Sequence, residues 1–579
     1  MSGLFGTLNI GRSGLTVSQT TVDVTSHNIA NVNTDGYSRQ RAEIVTSRPS
    51  SSYSYGQVGT GAQVEAIERI RDKFLDYQYR NQNSVLGSAD IKNDVLYQIE
   101  TVFNEPTDTG ISTVIGKMFD AWQELSKTPN SSNLRTVVVQ QSLTLTDAIN
   151  STYKSLDDIQ TNCQSLLKNN AIDTNSILDQ ITKLNDQIRG VTASGQNPND
   201  LMDQRDKLLD ELSYKFDIRV ENTAYNGINV SAVDKNGMVT STLVSSDGTG
   251  IAARLSYISS IEETTKGSGV YEITYYRNGN STDPSMKDTI KVAGLSEEDI
   301  HQLQNNRIIW GDGEGYACKA DGSRINTIVD ASQLHSFIQT TGEIAGNQSV
   351  QTDIEEYKES LDKLAFAMAI AMNAIHSGST DADKDSFPFF VNSDYASYNT
   401  DGSLSASYLA DNSGYENKIT ASNITVNKDL LTNVMKINVQ STQDSGEGDG
   451  KRALAIAQLR DALMNIQDVG ITINSRTDLK FEAGSDMKLQ NDTSGTTIDD
   501  YFKDMIDKLG VQAQEAGRLV DNQNTMLVEV SNSRSSVSGV SLDEEMSNLI
   551  QYQHAYSANA KIISTVDELL DVVINGLKR

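Results

Sequence analysis

The stretch "SLDEEMSNLIQYQHAYSANAKIISTVDELLDVVINGL" (residues 541–577) decides how the rest of the chain is read. Leu542, Met546, Leu549, Tyr556, Ala560, Ile563, Leu570, Ile574 and Leu577 fall on one seam of alternating four- and three-residue steps. Gln553 and Asp567 are its polar positions. A 3.5-residue repeat sustained over several heptads predicts a single helix that packs against other helices along its whole length. Its start carries the pattern S-x-x-E, which predicts a capping box with Ser541 as N-cap and Glu544 at N3. The acids Asp543–Glu545 suit the positive end of a helix macrodipole, so they read as a helix start and not as catalytic carboxylates.

The opposite end of the chain answers this seam. Leu4, Leu8, Leu15, Val22 and Ile29 share one face with the small residues Gly11 and Ser18. Two such helices bury their seams by pairing, yet a lone pair leaves much of each exposed, so neighbours in an assembly are needed to cover it. Immediately afterwards comes "SHNIANVNTDGYSRQR" (residues 26–41). Ile29 ends the helix, Asn31 or Asn33 caps or turns the chain, and Asp35-Gly36 directs it into an extended arm. This stretch reads as a joint.

With 579 residues the chain holds several cores. Its net charge of −29 argues against nucleic acid as the main partner and against an anionic membrane surface. The interleaving of Arg39, Arg41 and Arg48 with Tyr37, Tyr53 and Tyr55 does not outweigh that charge. Cys163 and Cys318 alone make no disulfide scaffold and no cysteine-rich zinc site, and they read as two buried thiols. The start has no basic region before its apolar stretch, so it is not a secretory leader. The apolar run "LAFAMAIAM" (364–372) is too short to span a bilayer.

The expected fold is multidomain α+β. Long terminal helices form a coiled-coil-like inner domain (1–45 and 536–579), and a helical bundle domain takes 46–216, 334–378 and 451–535. Within the bundle, helices are expected over about 67–103, on the face of Ile111, Ile115, Met118, Trp122 and Leu125, through Ile177–Val191, from Leu201, and over about 351–375. Inserted mostly-β outer domains complete the plan. One spans 217–333, alternates as in "YEITYY", and carries Asn226-Gly227, Asn236-Gly237, Asp247-Gly248 and Asn278-Gly279 as hairpin turns. A polar segment, 379–450, forms the second, smaller insertion, and a hairpin interrupts the later helices near 470–484.

No site chemistry emerges. "GDGKR" (448–452) ends like a phosphate loop but lacks the upstream Gly and has Arg452 for the Ser/Thr. "DADKDS" (381–386) starts like a calcium loop, but Ser386 replaces the Gly and Asn392 the bidentate Glu, so it reads as a solvated acidic loop. His27, His301, His335, His376 and His554 show no metal-ligand spacing. The chain therefore reads as non-enzymatic, with no cofactor and no metal.

"NIANVNTDGYSRQR" resembles the N-terminal signature of flagellar axial proteins, and "SGVSLDEEMSNLIQYQHAYSANAKIISTVDELLDVVI" is similar to the C-terminal signature of the hook-filament junction (hook-associated, FlgK) family. "FDAWQELSKTPNSSNLR" (119–135), "NDLMDQRDKLLDELS" (199–213), "GEIAG" (342–346) and "LDKLAFAMAIAMNAIHSG" (361–378) favour that family over hook or rod proteins. Asp35 stands where the family commonly has Pro, and Ser541 where Asn is common. Both substitutes still turn or cap.

The resemblance implies a structural adaptor of the bacterial flagellum, exported without a cleaved signal and working extracellularly. Implied partners are the hook protein, the next hook-associated junction protein, copies of itself in a ring, and an export chaperone at the C-terminal helix. Together with the seams it assigns the assembly interface to Leu4, Leu8, Leu15, Val22, Asn28, Ile29, Asn31, Asn33, Gly36, Tyr37 and Arg39, and to Leu542, Met546, Leu549, Tyr552, Tyr556, Asn559, Ile563 and Leu570. The termini are expected to order on assembly, and Tyr37, Arg39 and Arg41 to touch adjacent subunits. The competing readings are another axial protein, hook or rod, and a secreted adhesin whose β insertion binds host material.

Overall fold

The computed structural model describes all residues except 1, 53–55, 104, 106, 108–109, 234–241, 247–251, 443–444, 485–486 and 577–579. The Asn236-Gly237 and Asp247-Gly248 turns and the last seam residue, Leu577, lie outside the described residues. The helices in chain order are α1 (Ser2–Ala30), α2 (Lys73–Phe103), α3 (Ile111–Lys127), α4 (Ser132–Ala193), α5 (Asn199–Lys215), α6 (Glu297–Asn306) and α7 (Glu343–Ser377). The short helices α8 (Ala406–Leu409), α9 (Asn412–Glu416), α10 (Lys428–Thr432) and α11 (Lys451–Gln458) follow, and then the long α12 (Ile498–Ser538) and α13 (Leu542–Asn575). The fold is multidomain α+β.

Two helix boundaries differ from the sequence reading. The segment 62–69 is a strand and not the start of α2, because Asp72 accepts the Phe74 amide at 2.8 Å and so begins the helix at Lys73. Upstream of that cap, Ile67 pairs with Ala42 in an antiparallel ladder. In α4 a single 62-residue helix replaces the short one expected around Ile177. It holds no Pro, and its buried stripe mixes Leu145, Ile149 and Leu156 with Ser142, Thr146 and Thr174, which hides the periodicity from a hydrophobicity reading.

The chain divides into two compact units. The first comprises 1–89, 167–346 and 520–579. In it β1 (Gln40–Thr46) pairs with β4 (Ala62–Arg69), and the short β2 (Ser50–Ser52) pairs with β3 (Gly56–Val58). A three-stranded antiparallel sheet follows, β5 (Ile218–Asn222), β6 (Ile228–Ala232) and β7 (Thr242–Val244). Next come β8 (Arg254–Glu263), β9 (Val270–Tyr276), β10 (Lys287–Ala293), β11 (Ile308–Gly311) and β12 (Val329–Asp330), in the order β11-β8-β9-β10-β12 with only β10 and β12 parallel. Asn278 and Gly279 both take positive φ, as a tight turn requires. At the other described turn the left-handed pair is Tyr225 and Asn226, while Gly227 is extended. Phe216, Trp310 and Phe337 anchor the core here, their rings meeting edge to face at 5.1 and 5.0 Å.

The second unit comprises 90–166 and 347–519. Its core gathers Leu96, Trp122, Leu145, Phe389 and Phe502 against the apolar "LAFAMAIAM" run of α7, which is buried throughout. The strands β13 (Phe390–Asn392) and β14 (Ile424–Val426) form its small sheet. Asp385 is buried and not solvated as the acidic-loop reading expects. Arg476 holds it at 3.0 Å and Glu416 at 2.6 Å, with all three side chains almost wholly enclosed. Asp381 binds Lys384, so two of the three acids of the calcium-like loop, Asp381 and Asp385, have cationic partners, while Asp383 accepts from the Ser413 amide at 3.0 Å.

Candidate assembly interface and its joint

Helix α1 lies along α13, and glycine makes the approach close. A Cβ on Gly14 would stand 2.7 Å from Asn559 Oδ1, and one on Gly11 would stand 3.1 Å from Ile563 Cγ1. The covered face of α1 is Gly11, Val17, Ser18, Thr21, Val24, Thr25 and Asn28. Two of its hydroxyls are satisfied within the helix, Ser18 Oγ donating to the Gly14 carbonyl at 2.8 Å and Thr21 Oγ1 to that of Val17 at 3.1 Å.

The sequence-assigned positions sit around this contact. Leu4, Leu8, Leu15, Val22 and Ile29 are half-buried, as are Leu549, Tyr552, Asn559, Ile563 and Leu570. Leu542 and Met546 remain 46% and 49% exposed, and Tyr556 is exposed too. Val566, outside the seam, is the apolar side chain of α13 that is buried, while Val572 is 66% exposed. Within one chain, then, α13 covers the face through Asn559, Ile563 and Val566 and leaves a long apolar row open.

The joint follows α1. The Asn31 amide donates to the His27 carbonyl at 3.1 Å, the Thr34 amide to that of Asn31 at 2.9 Å, and Gly36 turns the chain at φ +80° against the Lys207 side chain. Asn33 is exposed. Asn28 then fastens the returning arm. Its Oδ1 accepts from the Gln40 amide (2.9 Å) and the Tyr37 hydroxyl (2.8 Å), and its Nδ2 donates to the Gln40 carbonyl (2.9 Å) and to Glu545 Oε2 (3.1 Å). Burial, with Asp200, Asp203 and Glu545 near, holds the Tyr37 phenol protonated well above its ordinary range.

Arg39 binds the arm to the other terminus. Its Nε lies 2.8 Å from Glu545 Oε1 and its Nη1 lies 2.9 Å from Glu544 Oε2, while its amide donates to the Ser538 carbonyl at 2.9 Å. Within the chain Tyr37 and Arg39 are half-buried and make the polar contacts just described, while Arg41 is exposed. One expectation changes here. The capping box is replaced. Ser541 stands at the N-cap but makes no side-chain cap bond, and the Glu544 carboxylate that would complete the box is taken by the charge-assisted contact with Arg39.

Behind the arm lies a charge network that sequence reading missed. Asp203, Asp206 and Asp210 occupy one face of α5. Asp203 accepts from the Ser38 amide (2.9 Å) and hydroxyl (2.7 Å), and Arg69 bridges it to Asp206 at 2.8 and 2.7 Å. Arg71 pairs with Asp76 (2.8 Å), Arg80 with Asp206 (3.2 Å) and Asp210 (2.8 Å), and Arg534 with Asp210 (2.7 Å) and Asp76 (3.5 Å). Burial pushes the Asp206 carboxyl up, but Arg71, Arg69, Arg80 and Arg205 together hold it well below the usual range. The spacing of three and four between the aspartates of "NDLMDQRDKLLDELS" was the available signal.

Such an arrangement fixes the backbone of the arm. Burial pushes the Cys163 thiol up to about 11 and the Cys318 thiol up to about 12, and both are free and enclosed. Among the described residues no cluster of His, Cys, Asp or Glu is arranged to hold a metal ion. No described helix is long and apolar enough to cross a membrane.

The terminal pair and its joint match known proteins. Residues 96–306 match the model of the flagellar hook-associated protein FlgK helical domain. Residues 532–576 match the flagellar basal body rod FlgEFG protein C-terminal model, and 8–37 the flagella basal body rod protein model. Flagellar hook-associated protein 1 of Bacillus subtilis (strain 168) is 30% identical over 584 residues, covering 100% of this chain and 99% of that one. The protein of that name from Salmonella typhimurium (strain LT2) is 23% identical over 610 residues, covering 98% and 99%. Among solved structures, the flagellar hook junction protein FlgK from Burkholderia pseudomallei shares the fold, with a TM-score of 0.50 at 13% identity over 80% of this chain and 100% of that one. The rod models match only the paired termini, whereas the hook-associated relatives match from end to end, and the chain belongs to the flagellar hook-associated protein 1 (FlgK) family.

Proposed function

We propose that this protein is the adaptor that joins the flagellar hook to the filament, acting by assembly and without catalysis. The observation that carries the reading is the fastened pair of termini. Asn28, Arg39 and Glu545 lock both chain ends into one base, while Leu542, Met546 and Ile574 leave the apolar seam uncovered on it. An apolar row of that length on an otherwise acidic protein asks for a protein partner. The protein is part of the flagellum and associates with the hook and other axial proteins.

The finer reading adds the neighbours. The uncovered rows of α1 and α13 pack against copies of the chain in a ring, with the termini innermost. One end of the ring meets the hook protein and the other meets the next hook-associated junction protein, through head-to-tail contacts. Before assembly an export chaperone shields the C-terminal helix, and the chain leaves the cell without a cleaved signal. The inner domain (1–45 and 536–579), the bundle and the β insertions then take inner, middle and outer places. Immunogold labelling of detached hook-filament structures tests the reading. A single labelled band between hook and filament is expected, and label along the rod or hook would overturn it.

A further inference from the structure

A cleft of about 470 Å³ opens in the first unit beside the charge network, lined among others by Arg69, Arg71, Arg80, Arg205 and Asp206. The network around it closes almost charge for charge. Arg69, Arg71, Arg80 and Arg534 meet Asp76, Asp203, Asp206 and Asp210. Arg205 is left over. Only 3% of it is exposed, and no carboxylate among the described residues makes an ion pair with it. Its Nη1 donates to Asn185 Oδ1 (3.0 Å) and to the Asn226 carbonyl (2.8 Å), but its Nε has no hydrogen-bond partner. The other acids at the cleft do not answer it. Neither exposed Glu68 nor half-buried Asp217 makes an ion pair with it. Exposed Lys73 adds a further positive charge at the lining.

Asp206 is near enough to act on Arg205 through its charge, but its ion pairs go to Arg69 and Arg80. A buried guanidinium with no carboxylate in direct contact is costly, and its planar fork matches a carboxylate in two-point contact. We propose that this cleft is a carboxylate-binding site in which Arg205 receives the anion, with Lys73 adding positive charge at the lining. The carboxylate comes either from an acidic side chain of an adjoining copy of this chain or from a free carboxylate in solution. With a net charge of −29 the chain offers many such acids. Binding itself is independent of the axial role, and only the adjoining-copy source rests on it.

Isothermal titration of malonate into the full-length monomer tests the site. Saturable binding to one site is expected. Arg205→Gln, which keeps a donor for Asn185 and Asn226, is expected to weaken it by roughly tenfold or more. Arg205→Lys, which keeps the charge and loses the fork, falls in between, and it carries the comparison if circular dichroism shows that Arg205→Gln does not fold. Absence of saturable binding by the wild type, or equal affinity in wild type and variants, overturns the proposal. Sedimentation at raised protein concentration separates the sources once binding is found. Self-association that malonate suppresses in the wild type identifies an acid of the adjoining copy, and association that malonate leaves unchanged identifies a free carboxylate.

Discussion

Asn28 Nδ2 donates to Glu545 Oε2 at 3.1 Å, so two residues 517 positions apart fasten the first helix of the chain to the last. The same amide holds the backbone of Gln40 by both its N–H and its carbonyl, in the manner of a β-ladder partner. One side chain thereby fixes the end of α1, the direction of the arm and the start of α13. It is buried, so each lost bond leaves a polar group without water to replace it.

Asn28→Ala is accordingly expected to cost about 2–4 kcal/mol at the joint. The Gln40 amide reports this directly, because Asn28 Oδ1 is its acceptor. Its hydrogen exchange accelerates by more than roughly tenfold in the variant. Unchanged exchange would show that Asn28 does not hold the arm.

Arg39 and Glu545 form the second fastening, with Glu545 3% and Arg39 23% exposed at the side chain. A double-mutant cycle with Arg39→Met and Glu545→Gln is expected to give a coupling of about 1–3 kcal/mol in urea unfolding. A coupling near zero would mean that the pair is only a surface contact.

Close approach of the helices depends on Gly14. Gly14→Leu places atoms where Asn559 stands and is expected to separate α1 from α13 and abolish swimming in soft agar. The milder Gly14→Ala is rescued by Asn559→Ala, which vacates the space. Full motility of Gly14→Leu would contradict the packing.

In the second unit, Arg476→Met leaves Asp385 and Glu416 buried and unpaired, and is expected to destabilise that unit by about 3–5 kcal/mol. Denaturant unfolding followed through Trp122, which lies in the same unit's core, reads the loss. Stability within 1 kcal/mol of wild type (a tenth of a typical total of about 10 kcal/mol) would sink the clamp.

Two groups of the second unit give its stability opposite slopes with pH. Burial, reinforced by Arg452 and Arg476, lowers the His376 imidazole from 6.5 to about 3. Its contribution is therefore full above pH 6.5 and is lost as pH falls toward 3. Burial raises the Asp362 carboxyl from 3.8 to about 6, so its contribution is full below pH 3.8 and is lost as pH rises through 6. Acidifying from pH 7 to pH 4 is expected to destabilise His376→Gln less than wild type and Asp362→Asn more. Parallel profiles for all three proteins would contradict both assignments.

Much of this was legible in the sequence. The 3.5-residue seams marked α1 and α13, because an apolar repeat survives whatever partner covers it. Asp35-Gly36 marked the turn, and Gly36 does take positive φ. The fastening of the joint was not legible, because Asn28, Arg39 and Glu545 become neighbours only through tertiary folding. Ser541 illustrates the same limit. Its local capping pattern is sound, yet a remote arginine takes the Glu544 carboxylate. In α4 the buried face carries Ser142, Thr146 and Thr174, so a helix of 62 residues left only its last apolar turns visible. "DADKDS" failed as a solvated loop because Arg476, 91 residues away in sequence and unmarked by any motif, holds Asp385 inside.

Deleting the gene, imaging the cells by electron microscopy and assaying flagellin in the medium tests the central claim most directly. The adaptor role predicts complete hooks without filaments and flagellin lost to the medium. Normal filaments, or cells without hooks, would contradict it.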